Sequence, residues 1–170
     1  MKLLKSVFTF LFALTLFTNC GGDGKKEEKE DKIKLKSDTQ DVEEDENVSS
    51  VVITANDAMK YNTDEIRVKA GTKVKLTLRH VGKMDVNVMG HNVVILKEGV
   101  EMGDFAAKAA TEKANGYIPE GTEDVIAHTK MIGGGQVTTV EFDAPPAGTY
   151  TFLCSFPAHY ALMNGKFIVE

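Results

Sequence analysis

The sequence predicts an all-β domain, a sandwich or barrel, interrupted by one helical insertion. Three observations lead there. Short apolar runs recur from Ser50 to the C-terminus, with turn residues between them. Val74, Leu76 and Leu78 alternate with Lys75, Thr77 and Arg79, the two-residue period of a half-buried strand. Residues 101–114 are the one stretch with a convincing helical pattern.

In chain order, Val51, Val52 and Ile53 open the first strand. Tyr61 to Val68 reads as a second, running into a turn at Gly71. The alternating run through Val74 to Leu78 follows, and Asn87 to Leu96, richer in apolar residues, reads as a more buried strand. Asn115-Gly116 stops the helix, and Pro119 and Gly121 mark a loop. Thr122 to His128 reads as a short strand and Gly133-Gly134-Gly135 as a turn. Three more strands are expected, Gln136–Phe142, Thr149–Cys154 and Gly165–Val169, with the Pro145-Pro146-Ala147-Gly148 turn after the first of them.

The first residues do not belong to this domain. Met1 to Lys5 is short and basic, and Val7 to Phe17 is almost wholly apolar, the layout of a secretory signal at 1–19 and too short for a permanent membrane span. Leu16-Phe17-Thr18-Asn19-Cys20 resembles the cleavage box of a bacterial lipoprotein, although Phe17 and Asn19 are larger than usual there. Cys20 is then the lipidated first residue of the mature chain, exported to the periplasmic side of a bacterial membrane. Ordinary secretion is the alternative. Residues 20–49 read as a charged tether: from 21 to 48 there are six Lys against eleven Asp and Glu, too few apolar groups to fold. The domain is expected at 50–170.

The formal net charge of -5 removes any basic stripe able to neutralise phosphates, so nucleic acid is not an expected partner. The chain has two cysteines. If Cys20 carries lipid, Cys154 has no disulfide partner within the chain, and a lone thiol in an exported protein calls for burial or ligation. One cysteine cannot hold an iron–sulfur cluster, and no Cys-x-x-Cys-His is present for covalent haem.

Cys154, His159 and Met163 lie within ten residues, in Cys154-Ser-Phe-Pro-Ala-His159-Tyr-Ala-Leu-Met163. Pro157 prevents simple continuation of the strand, so the loop can curl back and aim three donors at one point. His91 would have to come from a neighbouring segment. A thiolate, two imidazoles and a weak thioether suit copper in both oxidation states, whereas zinc gains little from Met and has no redox chemistry. On spacing alone the bland readings stay open: Cys154 as a small buried apolar residue, His159 as a loop histidine and Met163 as core packing.

Four stretches carry a resemblance to a known family: Asn56-Asp-Ala-Met59, Asn87-Val-Met-Gly-His-Asn92, Val125-Ile-Ala-His-Thr-Lys130 with Met131-Ile-Gly133, and the Cys154–Met163 loop. Residues 50–170 closely resemble the azurins, blue copper proteins of the cupredoxin class. The resemblance implies an eight-stranded Greek-key sandwich with a helical flap. It implies one copper ion, with His91, Cys154 and His159 as strong ligands, Met163 as axial thioether and the Gly90 carbonyl opposite. It places Asn92 near the cysteine sulfur, tying the two ligand loops together. Phe156 is the apolar ring that keeps water away, and His80 is a nearby histidine whose protonation couples to redox state. A packing role for His80 stays open. His128 matches a surface histidine with no ligand role. The electron exit is expected at His159, whose ring edge reaches the surface, framed by Met59, Met89, Ala158 and Ala161.

The sequence also departs from that family. The usual disulfide between the first and third strands is missing, there is no Trp, Val93 stands where an aromatic is expected, and Lys60 follows Met59 at a normally apolar rim. The function expected is one-electron transport, not catalysis, with c-type cytochromes or a copper-containing reductase as partners and a lipid anchor in the membrane. A copper store or chaperone with the same ligands is the alternative.

Overall fold

The computed structural model describes residues 47–170, so the signal segment, Cys20 and nearly all of the expected tether lie outside the described residues. The described chain is a sandwich of two mixed sheets with helical insertions. One sheet holds β1 (Val48–Asn56), β2 (Lys60–Tyr61), β4 (Lys73–His80) and β7 (Val137–Asp143), ordered β2-β1-β4-β7. The other holds β3 (Glu65–Val68), β5 (Val94–Leu96), β6 (Val125–His128), β8 (Gly148–Leu153) and β9 (Asn164–Val169), ordered β3-β9-β8-β5-β6. β1 runs parallel to β4 and β3 parallel to β9; the other pairings are antiparallel.

The alternation in β4 behaves as its sequence requires. Val74, Leu76 and Leu78 are fully buried, and the same two-residue period carries His80 inward at the strand's end. With Ile53, Phe152 and Phe167 from both sheets they form the main core. At about 1.5–3 kcal/mol for each large apolar side chain removed from water, this core is the principal stabilising term. It closes with no disulfide among the described residues, where Cys154 is a free, buried thiol. Val93, at 1 % exposure, fills core space.

Three expected elements change. Tyr61–Val68 is not one strand: it divides into β2 and β3, which belong to different sheets. Thr63 marks the break, its hydroxyl both accepting from Glu65 N and donating to Glu65 O. Asn87–Leu96 is not one strand either. Its first part is a short helix, α1 (Val86–Met89), started by the Asp85 carboxylate, which accepts from Asn87 N at 2.8 Å. Only Val94–Leu96 pairs as β5. Its apolar run is continuous because both faces are covered: Ile95 enters the main core, while Val94 and Leu96 join a second cluster with Leu153 and Ile118. That second cluster includes Phe105, Ala106 and Ala109 of α2 (Met102–Ala109). α2 is shorter than the expected 101–114: Thr111 turns its hydroxyl back to Lys108 O, and a separate 3-10 turn follows at Lys113–Asn115. β1 begins at Val48, ahead of the Ser50 boundary read from composition.

Candidate metal centre

Two chain segments converge at one end of the sandwich. In the first, α1 ends at Gly90, which leaves the helix in extended conformation. A Cβ there would sit 2.4 Å from Val86 O and 3.0 Å from both Met131 Sδ and Phe156 Cδ2, so the position has no room for a side chain. His91 follows and pairs with Ile132 through two 2.9 Å backbone hydrogen bonds. Its Nε2–H donates to Asn56 O at 2.9 Å, since a carbonyl can only accept. That leaves Nδ1 as the unprotonated nitrogen, 3.9 Å from Cys154 Sγ.

The second segment leaves β8 at Leu153 and returns as β9 at Asn164. Cys154 N–H donates to Met163 O at 2.9 Å, and Met163 N–H to His159 O at 2.8 Å, which closes the loop on itself. Ala158 holds φ at 68°, a left-handed conformation that costs on the order of 1 kcal/mol for a residue with a Cβ. The strain places His159 at the start of a 3-10 turn (His159–Ala161), with Nδ1 3.7 Å from Cys154 Sγ.

One donor atom from each of His91, Cys154 and His159 therefore lies within 4.8 Å of the others, and all three residues are buried. Bonds of about 2.0 Å to nitrogen and about 2.3 Å to sulfur would put the two donors about 3.5–3.7 Å apart. The observed 3.9 and 3.7 Å are compatible with one shared ion. A soft sulfur beside two imidazoles is a donor set that suits copper.

Burial sets the protonation of the donors. It pushes the Cys154 thiol up to about 11, against the opposing pull of the Asn92 and Phe156 N–H groups and the Tyr61 hydroxyl. It lowers His159 to about 4, with His91's charge adding to the effect, and it lowers His91 as well. Without metal, the centre at neutral pH is one thiol and two neutral imidazoles.

The surrounding groups can now be placed. Asn92 is fully buried and joins the two ligand segments through Ser155. Phe156 lies against His159 with ring centroids 4.5 Å apart, and Tyr117 packs edge-on to Phe156 at 5.2 Å. His80 is 2 % exposed and stacks on His91 at 4.6 Å. Both its nitrogens are engaged: Nε2–H donates to Met89 O at 2.8 Å, and Nδ1 accepts from Gly82 N at 3.0 Å. Met163 is fully buried in the main core. His159 is only 3 % exposed, less open than expected of an exit edge. Of the expected rim, Ala158 and Ala161 are exposed, Met59 and Met89 half-buried, and Lys60 exposed on β2.

Sequence reasoning missed several participants. Asn56 O orients His91, and the Asp57 carboxylate accepts from Lys83 N and Met84 N, pinning the loop before α1. Met84, Val88 and Leu162 are large apolar residues left exposed on the segments that carry the site. The one available signal was Asp85 as a helix cap, which would have turned Val88 outward. Tyr61, whose buried hydroxyl donates to Asn92 O, reads in sequence only as an apolar strand residue.

A buried cysteine sulfur flanked by two buried imidazoles, at the end of a two-sheet β-sandwich, defines a cupredoxin-type centre. The family model described as copper binding proteins, plastocyanin/azurin family, matches residues 47–170, and this chain belongs to that family. It is similar to an azurin of Achromobacter denitrificans, 43% identical over 117 residues, covering 66% of this chain and 78% of that one. It is also similar to outer membrane protein H.8 of Neisseria gonorrhoeae, 38% identical over 120 residues, covering 69% of this chain and 65% of that protein. Among solved structures, an azurin of Methylomonas sp. strain J superposes with a TM-score of 0.66 at 34% identity, covering 71% of this chain and 97% of that one.

Proposed function

We propose that this chain is a single-electron carrier holding one copper ion through His91, Cys154 and His159, with the Met163 thioether and the Gly90 carbonyl as weak outer donors. The observation that carries the reading is the buried convergence of those two imidazoles and one thiol. Copper bound there supplies one-electron exchange between Cu(II) and Cu(I). The chain's own residues hold the donors still: Asn56 O orients His91, the Asn92–Ser155 pair ties the segments, and the Met163–Cys154 backbone bond closes the loop. A site that is already rigid has little to rearrange when charge changes. Phe156 against His159 limits water access on that side. The protein is not an enzyme: it belongs with the azurins, and its strong donors point inward at one another.

In this reading the electron leaves through His159, and partners approach the surface around Met59, Met89, Ala158 and Ala161. Exposed Met84, Val88 and Leu162 extend it. The partners are redox proteins such as c-type cytochromes or a copper-containing reductase. Cys20 carries lipid and keeps the domain on the periplasmic side of a membrane; likeness to an outer membrane protein supports this. The sandwich is read as the eight-stranded Greek key of the family, with two-residue β2 as a short addition.

The test is the visible spectrum of the protein loaded with Cu(II), beside Cys154→Ser. An intense thiolate-to-copper band that vanishes in the variant supports the reading, and its absence from folded wild-type protein overturns it. Rapid reversible electron exchange with a c-type cytochrome separates a carrier from a copper store. Labelled fatty acid retained by wild type and lost by Cys20→Ala tests the anchor.

A further inference from the structure

Tyr61 carries a hydroxyl that packing does not need. Its ring lies 5.7 Å from that of Phe152 and belongs to the main core, a role that Phe would fill equally well. The residue is 5 % exposed, and a buried phenol must find an acceptor. The acceptor is the backbone carbonyl of Asn92. Tyr61 is itself held in place by β2, which pairs with β1 at Ala55, and by Asn62, which bonds Thr54 through both N–H and side chain.

Asn92 is then fixed from two directions. Its side chain exchanges two hydrogen bonds with Ser155, and its carbonyl accepts from Tyr61, while its own N–H is among the groups that favour the Cys154 thiolate. It follows His91 directly, so any rocking of Asn92 moves both the imidazole and that N–H.

We propose that Tyr61 is a positioning residue whose hydroxyl braces Asn92 through its carbonyl, holds the His91 and Cys154 segments in register, and thereby raises the reduction potential of the centre. Groups that favour the thiolate, the Asn92 N–H among them, withdraw electron density from sulfur, weaken its donation to the oxidised ion and so favour the reduced one, and they do so only while Asn92 is held still. The inference rests on the copper-carrier reading above.

Tyr61→Phe keeps the ring and deletes only the hydroxyl. At a fixed applied potential, the Cu(II)/Cu(I) ratio of the variant is expected to rise by about three- to tenfold, the latter being about 59 mV for a one-electron couple. In the metal-free variant, hydrogen exchange at the Asn92 amide is expected to speed up severalfold, while amides in the middle of β1 and β4 keep their protection. Val74→Ala, a core truncation at the end of β4 remote from His80, is the comparison for general loosening. An unchanged potential in Tyr61→Phe, an equal shift in Val74→Ala, or a shifted potential with unchanged Asn92 exchange, which would assign the effect to the Tyr61 hydroxyl acting on the Cys154 thiol directly, overturns the proposal. A wild-type protein without the thiolate band fails at the earlier reading, and Asn92 exchange in the metal-free protein still tests the strut itself.

Discussion

Asn92 and Ser155, 63 positions apart, hold each other through two hydrogen bonds: Asn92 Nδ2 donates to Ser155 Oγ at 2.8 Å, and Ser155 N–H donates to Asn92 Oδ1 at 2.9 Å. Each residue stands next to a candidate ligand, His91 or Cys154. The pair therefore converts two separate loops into one scaffold. Asn92→Leu removes both bonds and leaves the buried Ser155 N–H without a partner. The expected cost is about 1–3 kcal/mol in denaturant unfolding of the metal-free domain. Faster copper loss to a chelator is expected alongside it. Unchanged stability would mean that water or a shifted backbone replaces the pair.

Acid should weaken the metal-free fold. The folded imidazoles of His91 and His159 lie below the ordinary histidine value of 6.5, His159 at about 4, because burial penalises their charged forms. Between those values the unfolded chain binds more protons than the folded one. The stabilisation is fully present above about pH 6.5 and is lost as pH falls through about 4. The urea midpoint should drop between pH 7 and pH 4.5, and His159→Phe should flatten that dependence. An equally steep dependence in the variant would assign it to other groups.

Metal uptake should release one proton. With the Cys154 thiol raised to about 11 and both imidazoles already neutral, only the thiol must ionise on binding near neutral pH. Affinity for Zn(II), used as a redox-inert probe, is expected to rise about tenfold per pH unit from about pH 6.5 to 8.5. The same titration in Cys154→Ser should lose that slope. A flat profile in wild type would show that the thiol stays out of the coordination.

Gly90→Ala places a methyl against Val86 O, Met131 Sδ and Phe156 Cδ2. The first contact is with backbone and cannot rotate away. A destabilisation of about 1–3 kcal/mol is expected, typical of overpacking. Displacement of the Gly90 carbonyl should also perturb the copper absorption spectrum. A spectrum identical to wild type would show that this carbonyl does not matter to the metal.

Leu162 is 66% exposed in the ligand loop, between His159 and Met163. Leu162→Lys should leave stability within about 0.5 kcal/mol, as for most exposed positions. It should slow electron self-exchange about tenfold or more, because two like charges must meet across the contact. Wild-type self-exchange in the variant would place the docking surface elsewhere.

How much was legible in advance depended on the range of the interactions. The β4 alternation, the loop from Cys154 to Met163 and the turn at Gly133–Gly135 are local patterns that appear where the residues indicate, while the Pro145-Pro146-Ala147 turn is one residue shorter than expected because Gly148 already belongs to β8. Boundaries failed where tertiary contacts compete with propensity. Val86–Met89 is apolar enough for a strand, but the Asp85 carboxylate caps it into a helix. Val93–Leu96 reads as one buried run, and only the packing of α2 over β5 explains why both of its faces are apolar.

By itself, the sequence determined the chemistry available to this protein: one thiol in the domain, with two histidines and a methionine at spacings that match a copper-binding family. Tertiary structure alone decided which atoms face one another. It selected Nδ1 of His91 by giving Nε2 to Asn56 O, and it buried His159 to 3 % exposure. It recruited Tyr61 from a two-residue strand to brace Asn92. Those choices depend on hydrogen bonds between residues some thirty or more positions apart, which no local pattern encodes.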